Sequence, residues 1–244
     1  MCLLPSVAIY PGIFQSLQKG RLKNGCERMI SYKIKRFNIE GFEIRGKKYL
    51  SPEEEEFLLS KKVFVQEKVD GKFTYKDFGD FLILCEDLRD THTIYYKNLP
   101  SRFLGFDVYH KEEGFLEIRE AYKIMIECGV IPVSIIYAGK VDKEMIKNFV
   151  LKRSSEFLTE INPRMKEIAK EVSPEIAEKK NFIEGVVVKY YENNKLYAGK
   201  AVNPAFERII DKAGRYEMYR QKNRIIPWGE EKLNEYLRRV FSWL

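Results

Sequence analysis

The apolar and polar positions of the chain follow two periods, which predict a mixture of strands and helices. Alternation around residues 63–65 predicts a buried strand that ends at Lys68. Further strands are predicted at residues 73–75, 81–85, 93–96, 103–109, 130–137, 182–191 and 196–202. Apolar residues at helical spacing predict helices at residues 116–128, 163–179, 204–222 and 229–243, and another that starts at Asp142. The expected fold class is therefore α+β.

Capping and turn residues support several of these boundaries. Ser51, followed by Pro52 and a run of glutamates, is typical of a helix start. Turns are predicted near Gly79 and at the pair Asn193-Asn194, so the strands on either side of each turn should form hairpins. The chain contains no internal repeat and no low-complexity linker. These features indicate one domain, or one domain with a small appendage.

Composition and charge agree with a soluble protein that binds a polyanion. The 244 residues are 45% hydrophobic and 32% charged, with a net charge of +7. From Lys19 to Lys48 there are 10 Lys or Arg and 3 Glu, so this segment alone carries 10 − 3 = +7. Its aromatic residues, Tyr32, Phe37 and Phe42, are interleaved with the cations, a pattern that suits a phosphate backbone. From charge alone, a solvated basic surface explains the segment equally well.

Several classes of site are excluded by the residue types. The four cysteines, Cys2, Cys26, Cys85 and Cys128, are isolated in sequence, so neither a zinc site nor a disulfide framework is expected. Two histidines are too few for a histidine metal cluster. The N-terminal apolar run is broken by prolines and lacks a basic leader, and no apolar stretch is long enough to span a bilayer. We expect a cytoplasmic protein with reduced thiols and no membrane partner.

A lysine at the end of a buried strand is the first candidate for chemistry. Burying Lys68 is costly unless the site uses its charge or its amine. Desolvation and nearby cations lower the pKa of a lysine and free its lone pair for nucleophilic attack. Lys189 and Lys200 lie on the last predicted hairpin and, with Glu184, could hold a polyphosphate and its metal ion. Taken singly, Lys68 also fits a surface lysine at a strand end.

The order of these residues resembles a known superfamily. Residues 68–71, KVDG, resemble the nucleotidyl-acceptor motif of the covalent nucleotidyltransferases, which include ATP-dependent ligases and capping enzymes. Residues 184–189, EGVVVK, resemble the later E-G-x-x-x-K strand, and Lys200 resembles the lysine of the motif after it. Residues 85–109 and 200–206 are similar to segments of RNA ligases in particular. The resemblance covers about residues 65–206.

The resemblance implies a fold, a chemistry and a set of roles. It implies a nucleotidyltransferase domain over residues 1–206, with antiparallel sheets flanked by helices, and a short helical appendage over 207–244 that is not an OB-fold. It implies that ATP, with Mg²⁺ or Mn²⁺, adenylates Lys68, and that AMP then passes to a 5′-phosphate that is sealed to a 3′-hydroxyl. The implied nucleotide-binding residues are Glu67, Glu86, Phe106, Glu184, Lys189 and Lys200, with Glu184 also holding the metal. Phe106 would stack on adenine and Glu86 would contact the sugar.

Departures from the pattern favour RNA ends as the substrate over DNA ends. No arginine lies between Lys68 and Glu86, where related ligases carry one, and Arg89 is a candidate substitute. Phe73 stands where DNA ligases and capping enzymes usually have arginine, and Cys85 replaces a usual glycine. The alternatives are a DNA-nick ligase, or a nucleotide- or RNA-binding module whose catalysis has decayed.

Two further expectations concern the end of the chain and the last hairpin. Basic residues after residue 206 either grip nucleic acid or form a solvated helix face; they include Arg208, Lys212 and Arg215. Glu184 and Lys189 are five positions apart, so on a regular strand they would face opposite sides. A bulge at Gly185 or a twist near the strand end would bring both into one site.

Overall fold

A computed structural model describes residues 33–214 and 216–244. Cys2, Cys26, Arg215 and the part of the basic segment that precedes residue 33 lie outside the described residues. The strands are β1 Lys35–Arg36, β2 Val63–Lys68, β3 Lys72–Phe78, β4 Phe81–Asp87, β5 Ile94–Tyr96, β6 Phe103–His110, β7 Gly114–Phe115, β8 Ile131–Pro132, β9 Ile135–Gly139, β10 Thr159–Ile161, β11 Gly185–Glu192 and β12 Lys195–Val202. The α-helices are α1 Pro52–Ser60, α2 Ile118–Glu127, α3 Lys143–Lys152, α4 Lys166–Val172, α5 Pro174–Ala177, α6 Pro204–Ala213 and α7 Glu230–Phe241, with 3-10 turns at Pro163–Met165 and Tyr216–Tyr219.

Most of the strands belong to two sheets. Sheet A has the order β1-β12-β11-β2-β9, and sheet B has the order β3-β4-β6-β7 with β8 beside β6. The pairs β1/β12 and β6/β8 are parallel, and the other pairs in these sheets are antiparallel. A small ladder joins β10 to β5. Helices flank the sheets, so the predicted α+β class is confirmed.

Two apolar cores give sheet A an inner and an outer face. Alternate residues of β2 and β11, such as Val65, Val186 and Val188, pack on the outer face with residues of α1 and α3. The larger core lies on the side of sheet B and includes α2, α6 and α7. Because side chains alternate along a strand, the remaining residues of β11 point to the inner face, towards sheet B. The inner face is where the candidate site forms.

Local sequence signals explain several boundaries. The Ser51 side chain accepts a hydrogen bond from the Glu54 amide, and the Glu54 carboxylate accepts one from the Ser51 amide, so α1 begins with a full capping box. The turn between β11 and β12 places Asn193 and Asn194 at φ of 51° and 58°, as the two central residues of a tight hairpin turn require. Both predicted features are confirmed.

Other boundaries differ from the predictions for physical reasons. The strand predicted at residues 130–137 is two strands, because the chain leaves sheet B after β8 and joins sheet A at β9. The helix predicted at residues 163–179 is broken at Ser173, where Pro174 starts the next short helix. The helix predicted to reach residue 222 ends at Ala213, because Gly214 adopts φ of 67°. The two-residue β1 and the three-residue β10 were not predicted. No helix among the described residues has the length and apolar character needed to cross a membrane.

Candidate active site

A pocket of about 230 Å³ opens between the inner face of sheet A and sheet B. Its walls come from the ends of β2, β3, β4, β6, β11 and β12, so residues distant in sequence meet there. The lining residues are Ile34, Gln66, Glu67, Lys68, Val69, Gly71, Phe73, Glu86, Phe106, Val133, Val187, Lys189 and Lys200. The predicted residues Lys68, Glu67, Glu86, Phe106, Lys189 and Lys200 are therefore brought together.

Lys68 forms an ion pair with Glu184 at the C-terminal end of β2. The Lys68 ammonium lies 2.5 Å from Glu184 Oε2. Lys68 is the last residue of β2 and lies opposite Gly185, so the residue before Gly185 is brought next to its side chain. A Cβ at Gly185 would lie 2.1 Å from the Ala201 carbonyl oxygen, which makes glycine the residue that allows β11 and β12 to approach here. Glu184 is thus held at the site by the start of this hairpin.

The end of the strand, rather than a bulge, places Glu184 and Lys189 on the same side. The ladder registers of β11 are continuous from Gly185 to Lys189 with both neighbouring strands, so the bulge expected at Gly185 is absent. Glu184 precedes the first residue of β11 and is not bound by strand alternation. Its carbonyl oxygen accepts a hydrogen bond from the Asn203 amide at 2.9 Å. Of the two explanations offered by the sequence, the bulge at Gly185 is wrong and a twist near the strand end stays a prediction.

The carboxylates near Lys68 affect the pKa of its amine more than burial does. Burial by itself lowers the pKa of the Lys68 ammonium, as the sequence led us to expect. Three nearby carboxylates have a larger combined effect and hold this pKa above its usual value; they are Glu184, Glu86 and Asp70. The lowered pKa expected from desolvation is therefore wrong for Lys68. The lysine rests as an ammonium ion that must lose a proton before it can act as a nucleophile.

Asp70 and Gly71 build the turn that follows Lys68. Asp70 Oδ2 accepts hydrogen bonds from the amides of Thr93 and Ile94, at 2.8 and 3.0 Å. The Asp70 amide donates to the Tyr96 hydroxyl at 2.7 Å. A Cβ at Gly71 would lie 2.7 Å from a methyl group of the Leu88 side chain. The residues after the lysine thus have structural reasons for their identities, and they attach β2 to the segment around β5.

His92 is a neighbour of this turn. Its Nδ1 lies 3.4 Å from Asp70 Oδ1. Burial lowers the pKa of His92, but the hydrogen bond and the charge of Asp70 together raise it above the usual value. His92 thus has a contact with the Asp70 carboxylate within the fold.

Two buried carboxyl groups line the pocket. Glu67 Oε1 accepts a hydrogen bond from the Ser155 hydroxyl at 2.6 Å, whereas its Oε2 has no hydrogen-bond partner among the described residues. Glu86 Oε2 is also buried, and no described residue bonds to it. Burial raises the pKa of Glu67 to about 8 and that of Glu86 to about 7. Buried polar atoms without partners are uncommon, so these two oxygens suit the hydrogen-bond donors of a ligand.

Phe106 reaches the pocket from an irregular position of β6. Cys85 pairs with Gly105 and Leu84 pairs with Asp107, so Phe106 is an extra residue opposite β4. Its ring centroid is 6.2 Å from that of Phe73, which is partly exposed at the pocket. The irregularity turns an otherwise buried aromatic residue towards the space between the sheets. The sequence predicted Phe106 as a site residue, but nothing in its pattern predicted the irregularity in β6.

Lys189 is fully buried and already has polar partners. Its ammonium lies 2.7 Å from Asp107 Oδ2 and 3.0 Å from the carbonyl oxygen of Phe106. The Tyr191 hydroxyl donates to the other oxygen of Asp107. Burial lowers the pKa of Lys189, while Asp107 opposes that effect. The contact of Lys189 is therefore with sheet B, and a role in neutralising phosphates stays a prediction.

Lys200 differs from Lys189 in its surroundings. It lines the pocket from β12, and no described carboxylate forms an ion pair with its ammonium. Burial lowers the pKa of Lys200, and the nearby cations Lys68 and Arg36 lower it further. A half-buried cation with cationic neighbours is an arrangement that favours an anionic ligand.

The residues predicted to contact nucleic acid lie outside the pocket lining. Arg89 Nε is 3.4 Å from Asp90 Oδ2, so the candidate substitute for the missing arginine pairs with its own neighbour. Arg208 pairs with Glu175, and Lys212 lies 2.5 Å from Glu171. These three side chains are exposed and form surface ion pairs, which contribute little to stability.

Sequence reasoning missed several residues of the site. Asp107 lies inside the stretch that resembles RNA ligases, and its position after Phe106 was the available signal. Gln66 donates hydrogen bonds to the Phe106 carbonyl oxygen and the Tyr122 hydroxyl, at 3.2 and 2.6 Å. Ser155 comes from a loop that carried no signal at all. Each of these residues acts by supporting another one that faces the pocket.

The carboxylates near Lys68 suit a divalent cation only together with other ligands. The described residues include no group of three or more His, Cys, Asp or Glu side chains that could hold a metal ion by themselves. Glu184 and Glu86 both raise the pKa of Lys68, so both carboxylates lie near its ammonium. One oxygen of Glu86 has no hydrogen-bond partner among the described residues. Mg²⁺ usually keeps several waters and takes few protein carboxylates beside substrate phosphates. The described carboxylates therefore do not form a metal site by themselves and would need ligands from a bound molecule.

Comparison with known proteins identifies a family. A family model described as RNA ligase matches residues 45–202, which is more than half of the chain. No curated protein matches the chain. The match includes every pocket-lining residue except Ile34.

Proposed function

The chain belongs to the RNA ligase family, and from that premise we propose that it is an ATP-dependent RNA ligase that works through a lysyl-AMP intermediate. One observation carries the proposal. The Lys68 amine opens onto the same pocket as Glu67 and Glu86, each of which has a buried carboxyl oxygen without a described partner. A nucleoside offers hydrogen-bond donors on its base and on its ribose, so it would satisfy both oxygens beside the nucleophile.

The proposed binding mode follows from the chemistry of these side chains. Glu67, once it has lost the proton that burial favours, would accept a hydrogen bond at Oε2 from the exocyclic amine of adenine, while Ser155 keeps the carboxyl group oriented. Glu86 would accept from a ribose hydroxyl. Phe106 would stack on the base, and stacking of a base on an aromatic ring is worth about 1–3 kcal/mol. Lys189 supports this arrangement by holding the Phe106 carbonyl oxygen and Asp107.

The proposed covalent step uses the Lys68 amine. The ammonium first loses one proton to solvent, and the neutral nitrogen attacks the α-phosphorus of ATP. A nitrogen–phosphorus bond forms, the bond to the bridging oxygen breaks, and pyrophosphate leaves with the electron pair. The nitrogen then loses its second proton and becomes the neutral phosphoramidate. Lys200 would stabilise the negative charge that the α-phosphate carries during this exchange.

Glu184 would change partners when the nucleotide arrives. A magnesium or manganese ion, held by Glu184 and the phosphates of ATP, would neutralise phosphate charge and favour the unprotonated lysine. Glu184 would thereby leave the Lys68 ammonium, from which it lies 2.5 Å in the structure. Removing that carboxylate from Lys68 removes one of the charges that raise its pKa.

RNA ends would enter after adenylation. AMP would pass from Lys68 to a 5′-phosphate, and a 3′-hydroxyl would displace AMP to seal the strand. Arg89, Arg208 and Lys212 are proposed contacts to the RNA backbone, each of which would exchange a surface ion pair for a phosphate. We further propose that residues 1–206 form the catalytic domain, that residues 207–244 are an appendage, and that the protein acts in the cytoplasm.

Intact-protein mass spectrometry tests the covalent step directly. The wild-type protein is incubated with ATP and magnesium beside Lys68→Ala, and the expected result is a mass gain of one AMP in the wild type alone. The adenylated protein is then given 5′-phosphorylated RNA, or the same sequence as nicked DNA. Sealing of RNA would support the proposal, and sealing of nicked DNA alone would favour the DNA-ligase alternative. RNA binding without any adduct would favour a binding module.

A further inference from the structure

The segment before the RNA ligase match places a cation, Arg36, beside the pocket-lining residue Lys200. β1 pairs in parallel with β12 and places Arg36 opposite Lys200. Lys200 in turn lies opposite Val187, and Val187 lies opposite Gln66. These four residues form one row across sheet A. Counted from β2, the first three are Gln66, Val187 and Lys200, and all three line the pocket. Arg36 is the fourth member of the row, about 4.8 Å beyond Lys200 along the sheet.

The face on which Arg36 lies is fixed by its neighbours in the chain. Ile34, two residues earlier, lines the pocket. Lys35 and Phe37 lie on the opposite face, where Lys35 pairs with Glu54 of α1 and Phe37 packs in the outer core. Alternation along the strand therefore directs Arg36 to the inner face with Lys200. Only 7% of Arg36 is exposed, so its position is set by packing as well as by charge.

The charges around Arg36 do not cancel. Arg36 pairs with Glu207, in the first turn of α6, and Lys47 lies 2.8 Å from the other oxygen of the same carboxylate. Lys200 adds a third cation without a described carboxylate partner. The Glu184 carboxylate also acts on Lys200 but forms its ion pair with Lys68, so the remaining three cations and one carboxylate give 3 − 1 = +2 at this end of the row. Such an excess, half-removed from water, is a binding site for a multiply charged anion.

We propose that Arg36 holds the pyrophosphate that leaves when ATP adenylates Lys68. This proposal rests on the proposed ligase function. In an in-line displacement, the attacking and leaving groups lie on opposite sides of the phosphorus atom. Lys68 attacks from the end of β2, and the row runs away from β2 through Lys200 to Arg36. A guanidinium at the far end of that row meets the β- and γ-phosphates, while Lys200 meets the α-phosphate.

Pyrophosphorolysis of the adenylated protein isolates this contact. Adenylated enzyme is freed of ATP and titrated with pyrophosphate and magnesium, and loss of AMP is followed by intact-protein mass spectrometry. In the reverse reaction a pyrophosphate oxygen attacks phosphorus, the bond to Lys68 breaks, and the nitrogen takes up protons again. For Arg36→Ala we expect the half-maximal pyrophosphate concentration to rise on the order of tenfold, the effect of losing a charge-assisted hydrogen bond. Lys35→Ala is the matched control from the same strand and should stay within about twofold.

A second experiment distinguishes a contact between Arg36 and pyrophosphate from a structural role of Arg36 and from a contact with RNA. Sealing of chemically pre-adenylated RNA involves no pyrophosphate, so Arg36→Ala should seal it at the wild-type rate. Equal losses in sealing and pyrophosphorolysis would overturn the proposal in favour of a structural role. A loss in transfer of AMP to 5′-phosphorylated RNA alone would assign Arg36 to the RNA phosphate instead. Arg36→Lys keeps the charge, and it should give an intermediate shift in case the alanine variant does not fold.

The two proposals fail in different ways. If the wild type forms no AMP adduct, the ligase function fails and the Arg36 proposal falls with it. If the wild type is adenylated and Arg36→Ala needs no more pyrophosphate than Lys35→Ala, only the Arg36 proposal is overturned.

Discussion

The Lys189 ammonium lies 2.7 Å from Asp107 Oδ2, and this ion pair joins sheet A to sheet B beside the pocket. Both side chains are 1% exposed. The Tyr191 hydroxyl and the Phe106 carbonyl oxygen also contact the pair. Because Phe106 stands next to Asp107 in the chain, the pair also fixes the ring that faces the pocket. Lys189, which by its motif resembles a phosphate ligand, thus connects the two sheets that form the walls of the pocket.

Replacing Lys189 should be far more costly than replacing an exposed lysine. Lys189→Met leaves Asp107 buried without its cation, so we expect the free energy of unfolding to fall by about 3–5 kcal/mol. Lys195→Met, at the exposed start of β12, should change it by less than about 0.5 kcal/mol. Urea denaturation measures both. The double variant with Asp107→Asn should recover part of the loss, and strictly additive losses would argue against a coupled pair.

Glu184 should affect both the rate of adenylation and its pH dependence. Glu184→Gln removes a carboxylate that raises the pKa of Lys68, so the rise of rate with pH should move to lower pH. The plateau rate should fall on the order of tenfold or more, because the variant also loses the proposed metal ligand. Single-turnover adenylation across a pH series measures the two effects separately. Glu192→Gln at the far end of β11 is the control, and an unmoved pH profile in Glu184→Gln would contradict the pairing with Lys68.

Glu67 should make the protein less stable as pH rises. Burial raises its pKa to about 8 from a usual value of 4.5, so between these values the folded state holds a proton that the unfolded state has lost. Stability should therefore fall from about pH 4.5 to about pH 8, by on the order of 5 kcal/mol in total, and then level off. Glu67→Gln cannot titrate and should flatten this part of the profile. Thermal melting from pH 5 to 8.5 checks it, with the exposed Glu56→Gln as control.

Phe106 should matter for ATP in a way that Phe103 on the same strand does not. Phe106→Leu loses the proposed stacking surface, so the KM for ATP in the adenylation assay should rise about tenfold. The Phe103 ring lies between Lys76 and Arg102, outside the pocket lining, so Phe103→Leu should leave that KM unchanged. Equal effects of the two substitutions would mean that Phe106 acts through the core and not through the base.

Local signals predicted the elements of the fold better than they predicted the partners of those elements. The capping box at Ser51 and the turn at Asn193-Asn194 depend on residues close in sequence, and both were predicted. The division of residues 130–137 depends on which sheet each half joins. An apolar run has the same pattern whether it stays in one sheet or passes to another. The sequence alone could not distinguish the two.

The pocket shows the same limit at the level of side chains. Lys68, Glu86 and Phe106 were found because the motifs carry them in order, and they do meet at one pocket. The partners that fix their orientation were not found, since Ser155 and Asp107 are placed by tertiary contacts. Lys189 was assigned to phosphates because a motif records residue type and spacing and does not record which carboxylate lies opposite. Arg36 was part of a basic segment whose function charge alone could not assign.

The pairing of β2 with β11 determines when the site can form during synthesis. The partners Lys68 and Glu184 are 116 positions apart, and β11 needs β12 as its other neighbour. Closing so long a loop is slow compared with forming a local hairpin such as β3 and β4. A nascent chain that has emerged only as far as α5 can form sheet B but leaves β2 without its central neighbour in sheet A. Lys68, the proposed nucleophile, is therefore among the last residues to reach its final environment. If the proposed function holds, a ribosome-bound chain should not become adenylated until its last hairpin has emerged.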